Sequence, residues 1–248
     1  MNTKSLWLTI TAVVVSFVGG FLLANGLNRS ELNTLRGENE RLKNTQTVAA
    51  QNNSEFSLSE EEIRQKIIEA DSSPNDIAFQ KNLGMALYRY AATKQDTALL
   101  AEIARLLNRV HEKNPKDSEV TITLGNAYFD IGYYKKDNKQ FEKSREFYQK
   151  ALDQKPDNAD VRTDLGLTYF LLNPPDNERA IAEFQKSLQA NPAHEKTLQV
   201  MTQVLLSQNK ADEADKFLAK LREVNSGNRT LPELESQIAQ IKNNSQKQ

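Results

Sequence analysis

A step of 41 residues constrains this chain more than anything else in it. Leu165-Gly166 is followed by Tyr169, and 41 residues earlier stand Leu124-Gly125 and Tyr128. Another 41 back are Leu83-Gly84, with Leu87 in the place of the tyrosine. Pro74, Pro115 and Pro156 keep the same interval, and Pro192 shortens the next one to 36. A chain that repeats itself at such a period stacks one small unit on the next, and each unit buries only the faces turned to its neighbours. Within a unit, apolar residues recur at steps of three and four: Leu99, Ile103, Leu107 and Val110, then Phe141, Ser144, Tyr148 and Ala151. Ile181, Phe184 and Leu188 follow, then Ala214, Phe217, Leu218 and Leu221. That spacing is the stripe of an amphipathic helix. Each unit therefore reads as two helices, an A helix carrying Leu-Gly and a B helix carrying the stripe. A glycine inside a helix costs about 1 kcal/mol against alanine, which is reasonable where a B helix must come close.

Leu165, Gly166, Tyr169, Ala180, Phe184 and Pro192 are the residues of the tetratricopeptide repeat (TPR) at its fixed offsets, and the chain resembles that family from about Pro74 to Asn225. The family's unit is a helix–turn–helix of about 34 residues. Two units here are longer by about seven, close to one extra turn for each helix. The third takes up its extra residues in Asn173-Pro174-Pro175-Asp176. A fourth unit, with Met201, Thr202, Leu205, Ala214, Leu218 and Leu221, departs by having Ser226 in the proline's place, and no unit has the family's Trp. The resemblance implies an all-α helix–turn–helix solenoid with repeats near 74–114, 115–155, 156–191 and 192–226. Two more helices would cap it, one over 59–71 and one over 232–242, leaving a tail at 243–248.

Residues 1–28 read differently. No charge occurs between Lys4 and Arg29, and Leu6 to Leu27 is mostly apolar. About 22 residues make roughly 33 Å of helix, enough to cross a bilayer core. A cleaved signal peptide is the competing reading, with a shorter apolar region as its norm. The expectation is a retained single-pass anchor with the repeats on the extracytoplasmic side, in the manner of a bacterial signal-anchor. Charge alone points the other way, since Arg29, Arg36, Arg41 and Lys43 follow the span. Ala12, Ser16, Gly20 and Ala24 place small side chains along one face of the span, where a second copy would approach closely. Leu32, Leu35, Asn39 and Leu42 continue as a short coiled-coil-like pattern over 29–43. Two readings of this segment stay open, a homodimer and a chance run of small residues. Residues 44–58, rich in Asn, Gln, Ser and Thr, read as a flexible linker. Ser59 with Glu62 then forms a capping box, stapled by Leu58 and Ile63.

Composition narrows the function classes. The formal net charge is −1, so no broad field draws the chain to nucleic acid. There is no cysteine, hence no disulfide and no thiolate metal site. The two histidines, His111 and His194, fall in different places of different repeats, and no phosphate loop, nucleophile elbow or His-Glu-x-x-His occurs. The sequence nominates no catalytic residue, no cofactor and no metal.

What remains is recognition. In TPR proteins bound peptides lie on a concave surface lined mainly by A helices. Carrying the family's inward positions over gives Lys81, Met85, Tyr88 and Arg89, then Ile122, Asn126, Phe129 and Asp130. Thr163, Leu167 and Phe170 follow in the third repeat, with Leu171, and Gln199, Gln203 and Leu206 in the fourth. Tyr88, Phe129, Phe170 and Leu206 share one register and would form an apolar ladder. The family's carboxylate clamp is disfavoured, because Met85, Thr163 and Leu167 stand where it needs polar or basic groups. The resemblance implies a membrane-anchored, non-catalytic scaffold that binds a protein or peptide partner. Two alternatives stay beside it: a self-associating spacer of a membrane assembly, and a protein similar to the accessory factors of bacterial cytochrome c maturation, which hold an apoprotein segment.

Overall fold

Aspartates and one asparagine set the helix starts. Asp76, Asp96, Asp117, Asp137, Asn158 and Asp176 each accept a backbone N–H from the first turn that follows, at 2.9 to 3.2 Å, satisfying donors that a helix start leaves without partners. The structure, a computed structural model, describes residues 59–245. It comprises α1 (Glu60–Ser72), α2 (Ile77–Lys94), α3 (Thr97–Lys113), α4 (Ser118–Lys135) and α5 (Asn138–Gln154). Then come α6 (Ala159–Phe170), α7 (Asn177–Ala190), α8 (Glu195–Ser207), α9 (Ala211–Val224) and α10 (Leu231–Ser245). No strand occurs among the described residues. The anchor, its small-residue face, the coiled-coil-like segment and the linker lie outside them. Among the described residues no helix is long and apolar enough to cross a membrane.

Successive helices pair as A and B: α2 with α3, α4 with α5, α6 with α7, α8 with α9. Each B helix also packs on the next A helix, and α10 covers α9 and reaches α8. The capping box of α1 forms, with Ser59 and Glu62 bonded reciprocally. Gln80 secures the end of α1 by donating to the carbonyls of Ala70 and Ser73. At the other end α10 runs to Ser245, beyond the 242 expected from sequence. His194 and Lys210, which start the fourth repeat's helices, make no side-chain cap.

The Leu-Gly pairs do what their cost suggested. A Cβ placed on Gly125 would stand 2.5 Å from Cε1 of Tyr148, and one on Gly166 would stand 2.5 Å from Cε1 of Phe184. Both distances are shorter than real Cβ contacts allow, so each glycine is the hole into which the B helix sets its aromatic. Ser144 Oγ reaches the Gly125 carbonyl at 2.8 Å, which marks how near the two backbones run. Phe141, Tyr148 and Phe184 are fully buried there, each contributing about 1.5–3 kcal/mol by leaving water. This row of hairpin cores fixes where the A helices stand.

Candidate recognition surface

Four A helices, α2, α4, α6 and α8, carry the residues expected to face a partner. The structure divides them. Arg89 is exposed, while Lys81, Met85, Tyr88, Ile122, Asn126, Phe170 and Gln203 are partly exposed, as is Leu171. Phe129, Asp130, Thr163, Leu167, Gln199 and Leu206 are buried, and a buried side chain cannot meet a partner directly. Phe129 leans edge-on against Phe141 of its own hairpin, ring centroids 5.6 Å apart. Thr163 is held beneath α8 by the hydroxyls of Ser187 and Thr197. The expected ladder is thus open at Tyr88 and Phe170 and closed at Phe129 and Leu206. The reason is spacing between helices: a position that points inward along one A helix is covered where the next A or B helix leans over it.

Polar groups on this side are largely engaged with one another. Lys81 Nζ lies 2.7 Å from Asp117 and 3.2 Å from Glu119, both of the next repeat. The Asp117 hydrogen bond raises the Lys81 pKa above its ordinary value. The Tyr88 hydroxyl donates to Asp130 Oδ2 at 3.0 Å across the α2–α4 boundary. Tyr148 donates to Asn126 Oδ1 at 2.8 Å, and burial pushes the Tyr148 phenol pKa well up. Lys196 and Asp164 pair at 2.6 Å between α8 and α6. Sequence reasoning did not single out that pair. Its signal is a basic residue on one A helix and an acidic one on the preceding A helix, one helical turn apart in repeat register.

One cluster has the connectivity of a hydrolytic triad. His194 Nε2 lies 3.0 Å from Asp160 Oδ1, and His194 Nδ1 lies 2.6 Å from Thr197 Oγ1. The His194 bond holds the Asp160 pKa below the usual carboxylate value. Yet Thr197 is fully buried and shares its hydroxyl with Thr163 and Ser187. A nucleophile must be reached by its substrate, so the arrangement serves to join α6, α7 and α8. His111 sits at another junction, with Nδ1 3.2 Å from Thr121 Oγ1 and the ring edge-on to Phe147. No group of three or more acidic or imidazole ligands that could hold a metal occurs among the described residues.

A TPR repeat family model matches residues 125–173, the stretch from the second Leu-Gly pair through the third A helix. Solved structures share the architecture. The crystal structure of MamA is similar over 66% of this chain and 87% of its own, with 21% identity and a TM-score of 0.52. A structure of MamA from residue 41 to its end, from Desulfovibrio magneticus RS-1, matches over 67% and 85%, with 18% identity and a TM-score of 0.54. A thermophilic TPR protein in Thermus thermophilus matches over 72% and 96%, with 18% identity and a TM-score of 0.51. At these identities the likeness is one of fold. No curated protein matches the chain in sequence.

Proposed function

We propose, from the premise that this chain is a tetratricopeptide-repeat protein, that it is a membrane-anchored scaffold that holds a protein or peptide partner against its A helices. Proteins of this fold are interaction scaffolds, and the finer reading concerns where and what this one binds. The observation that carries it is the half-exposed row Met85, Tyr88, Ile122 and Phe170, flanked by Arg89 and Gln203. Apolar groups beside hydrogen-bonding ones on preformed helices suit a peptide segment, whose side chains leave water while its amides find partners. The apolar stretch from Leu6 to Leu27 supports the anchor, and the signal-anchor pattern supports an extracytoplasmic position for the repeats.

A photo-crosslinking residue introduced at Ile122 or at Phe170, in the full chain in cells, tests the reading. Both positions should capture the same partner, and Ile122→Glu combined with the crosslinker at 170 should abolish capture. A crosslinker at exposed Lys216 of α9 should capture nothing in common with them. Capture of only a second copy of this chain at both positions would favour the self-associating spacer instead. Protease digestion of intact cells and of spheroplasts fixes the side of the membrane: repeats cleaved in spheroplasts without detergent are extracytoplasmic.

A further inference from the structure

Shifted back by one repeat interval, the B helix α3 falls on α1, and Pro115 after α3 falls on Pro74 after α1. Leu107 of α3 is set against Gly84 of its own A helix, and its equivalent in α1 is Lys66. Ile103, one turn earlier, corresponds to Glu62. Both Glu62 and Lys66 are exposed. The side that a B helix turns to its A helix is therefore charged and wet in α1. Its packing lies on the other side, where Ile63 and Ala70 enter the apolar core of the first repeats. That packing is thin: those two are the buried residues of α1, where α3 buries eight, and Ile68 is 50% exposed. The amide of Gln80 reaches the Ala70 and Ser73 carbonyls only at 3.4 and 3.3 Å.

Charge supplies the stronger hold. Asp71, in the last turn of α1, takes Arg105 Nη1 at 2.6 Å, Arg105 Nη2 at 3.0 Å and Arg109 Nη1 at 2.8 Å. One guanidinium grips both carboxylate oxygens and a second shares one of them, the geometry in which a surface ion pair counts. Glu102 steadies Arg105 from within α3 at 2.7 Å. The Arg105 hydrogen bond holds the Asp71 carboxyl below its ordinary pKa. The same register puts Glu112 at the end of α3 and Asp153 at the end of α5. Neither makes an ion pair among the described residues. The clamp thus stands at the one junction of the three where apolar burial is least.

We propose that α1 is a reversible cap on the first repeat, held shut by the Asp71–Arg105–Arg109 clamp and released by salt while α2 to α10 stay folded. Each unit of a stack is held by its neighbours, and a terminal helix has a neighbour on one side only. Local opening concentrates at such elements. The side chains of Asp71, Arg105 and Arg109 are 41%, 36% and 32% exposed, so dissolved ions reach and screen them. Release uncovers Phe79, over whose ring Lys66 of α1 stands at 6.0 Å. The clamp therefore decides whether the stack begins with a charged helix or with an apolar edge.

The chain has no cysteine, so one introduced thiol reports the opening. Ala70 of α1 and Ala127 of α4 are both 0% exposed. With the full chain in detergent micelles, a thiol reagent should modify the Ala70→Cys variant faster than the Ala127→Cys variant. Its rate should rise about threefold or more between about 0.05 and about 0.5 M salt. Adding Asp71→Asn should speed it about tenfold and remove most of the salt effect. The Ala127→Cys rate should respond to neither. Hydrogen exchange of the amides of residues 60–72, with and without Asp71→Asn, gives the same reading in a chain without the introduced thiol. Equal thiol rates at the two sites, exchange in α1 no faster than in α4, or α1 rates unchanged by Asp71→Asn would each overturn the proposal. So would a salt acceleration that extends equally to α4 and α5, because the whole stack would then be unfolding.

Discussion

The hydroxyl of Tyr148 donates to Asn126 Oδ1 at 2.8 Å while its ring fills the space a side chain at Gly125 would need. One residue of a B helix thus fixes both the distance and the register of its A helix. Gly125→Ala sets a methyl 2.5 Å from the Tyr148 ring and should cost about 1–3 kcal/mol through overpacking. Tyr148→Phe keeps the packing, loses one hydrogen bond, and should cost about 1 kcal/mol. Urea denaturation midpoints should rank wild type above Tyr148→Phe and that above Gly125→Ala. The reverse order of the two variants would mean that the glycine is not set by this contact.

Phe129 and Phe170 occupy one register and one expected role, and they should part company on substitution. Phe129 is 5% exposed and packed on Phe141, so Phe129→Glu buries an unpaired carboxylate and should cost several kcal/mol, about 3 or more. Phe170 is partly exposed, and Phe170→Glu should cost about 1 kcal/mol or less with the fold retained. Thermal unfolding followed at the helix band checks both. Equal losses would place Phe170 in the core and remove it from the proposed recognition surface.

Acid should weaken the junction of the first two repeats. Burial holds the His111 pKa below its ordinary value; Lys150 acts in the same direction and Glu112 against it. The folded state therefore binds this proton less readily than the unfolded chain. Its contribution to stability is complete above the unfolded pKa near about 6.5 and falls as the pH drops through and below it. The carboxylates, Asp160 among them, act at lower pH, since their depressed pKa values lose stability only as the pH falls toward about 4 and below. Between about pH 7.5 and about pH 5.5 the fall in denaturation midpoint should be smaller in His111→Gln than in wild type. Identical falls would show that another group titrates there.

Lys136 turns the chain from α4 into α5 at φ 54°, and Gln95 does the same between α2 and α3 at φ 58°. The left-handed region strains a side chain by about 1–2 kcal/mol, and glycine enters it freely at some entropic cost. Lys136→Gly should therefore stabilise the protein by about 0.5–1 kcal/mol. A lowered unfolding temperature would mean that the Lys136 side chain contributes more than its backbone strain costs.

Much of the fold was legible because it depends on local rules. The prolines, the Ser59–Glu62 capping box and the three-and-four spacing each act within one helix and its turn, and the helices follow them closely. The exposure of the proposed recognition residues was legible only in part. The resemblance to the repeat family puts Thr163 and Leu167 at the same inward positions as Lys81 and Met85, yet the first two are fully buried. Whether a face meets water depends on the neighbouring helix: Thr197 and Ser187 close over Thr163, and sequence spacing carries no record of that.

The amino-acid sequence by itself determined the repeat, the A and B helices and the glycines at their crossings, since the interval and helical phase that specify them act along the chain. Tertiary structure alone decided which A-helix residues stay open. That is set by side chains brought together from different helices, as Phe129 and Phe170 show: equivalent in register, one is buried against Phe141 and the other is partly exposed.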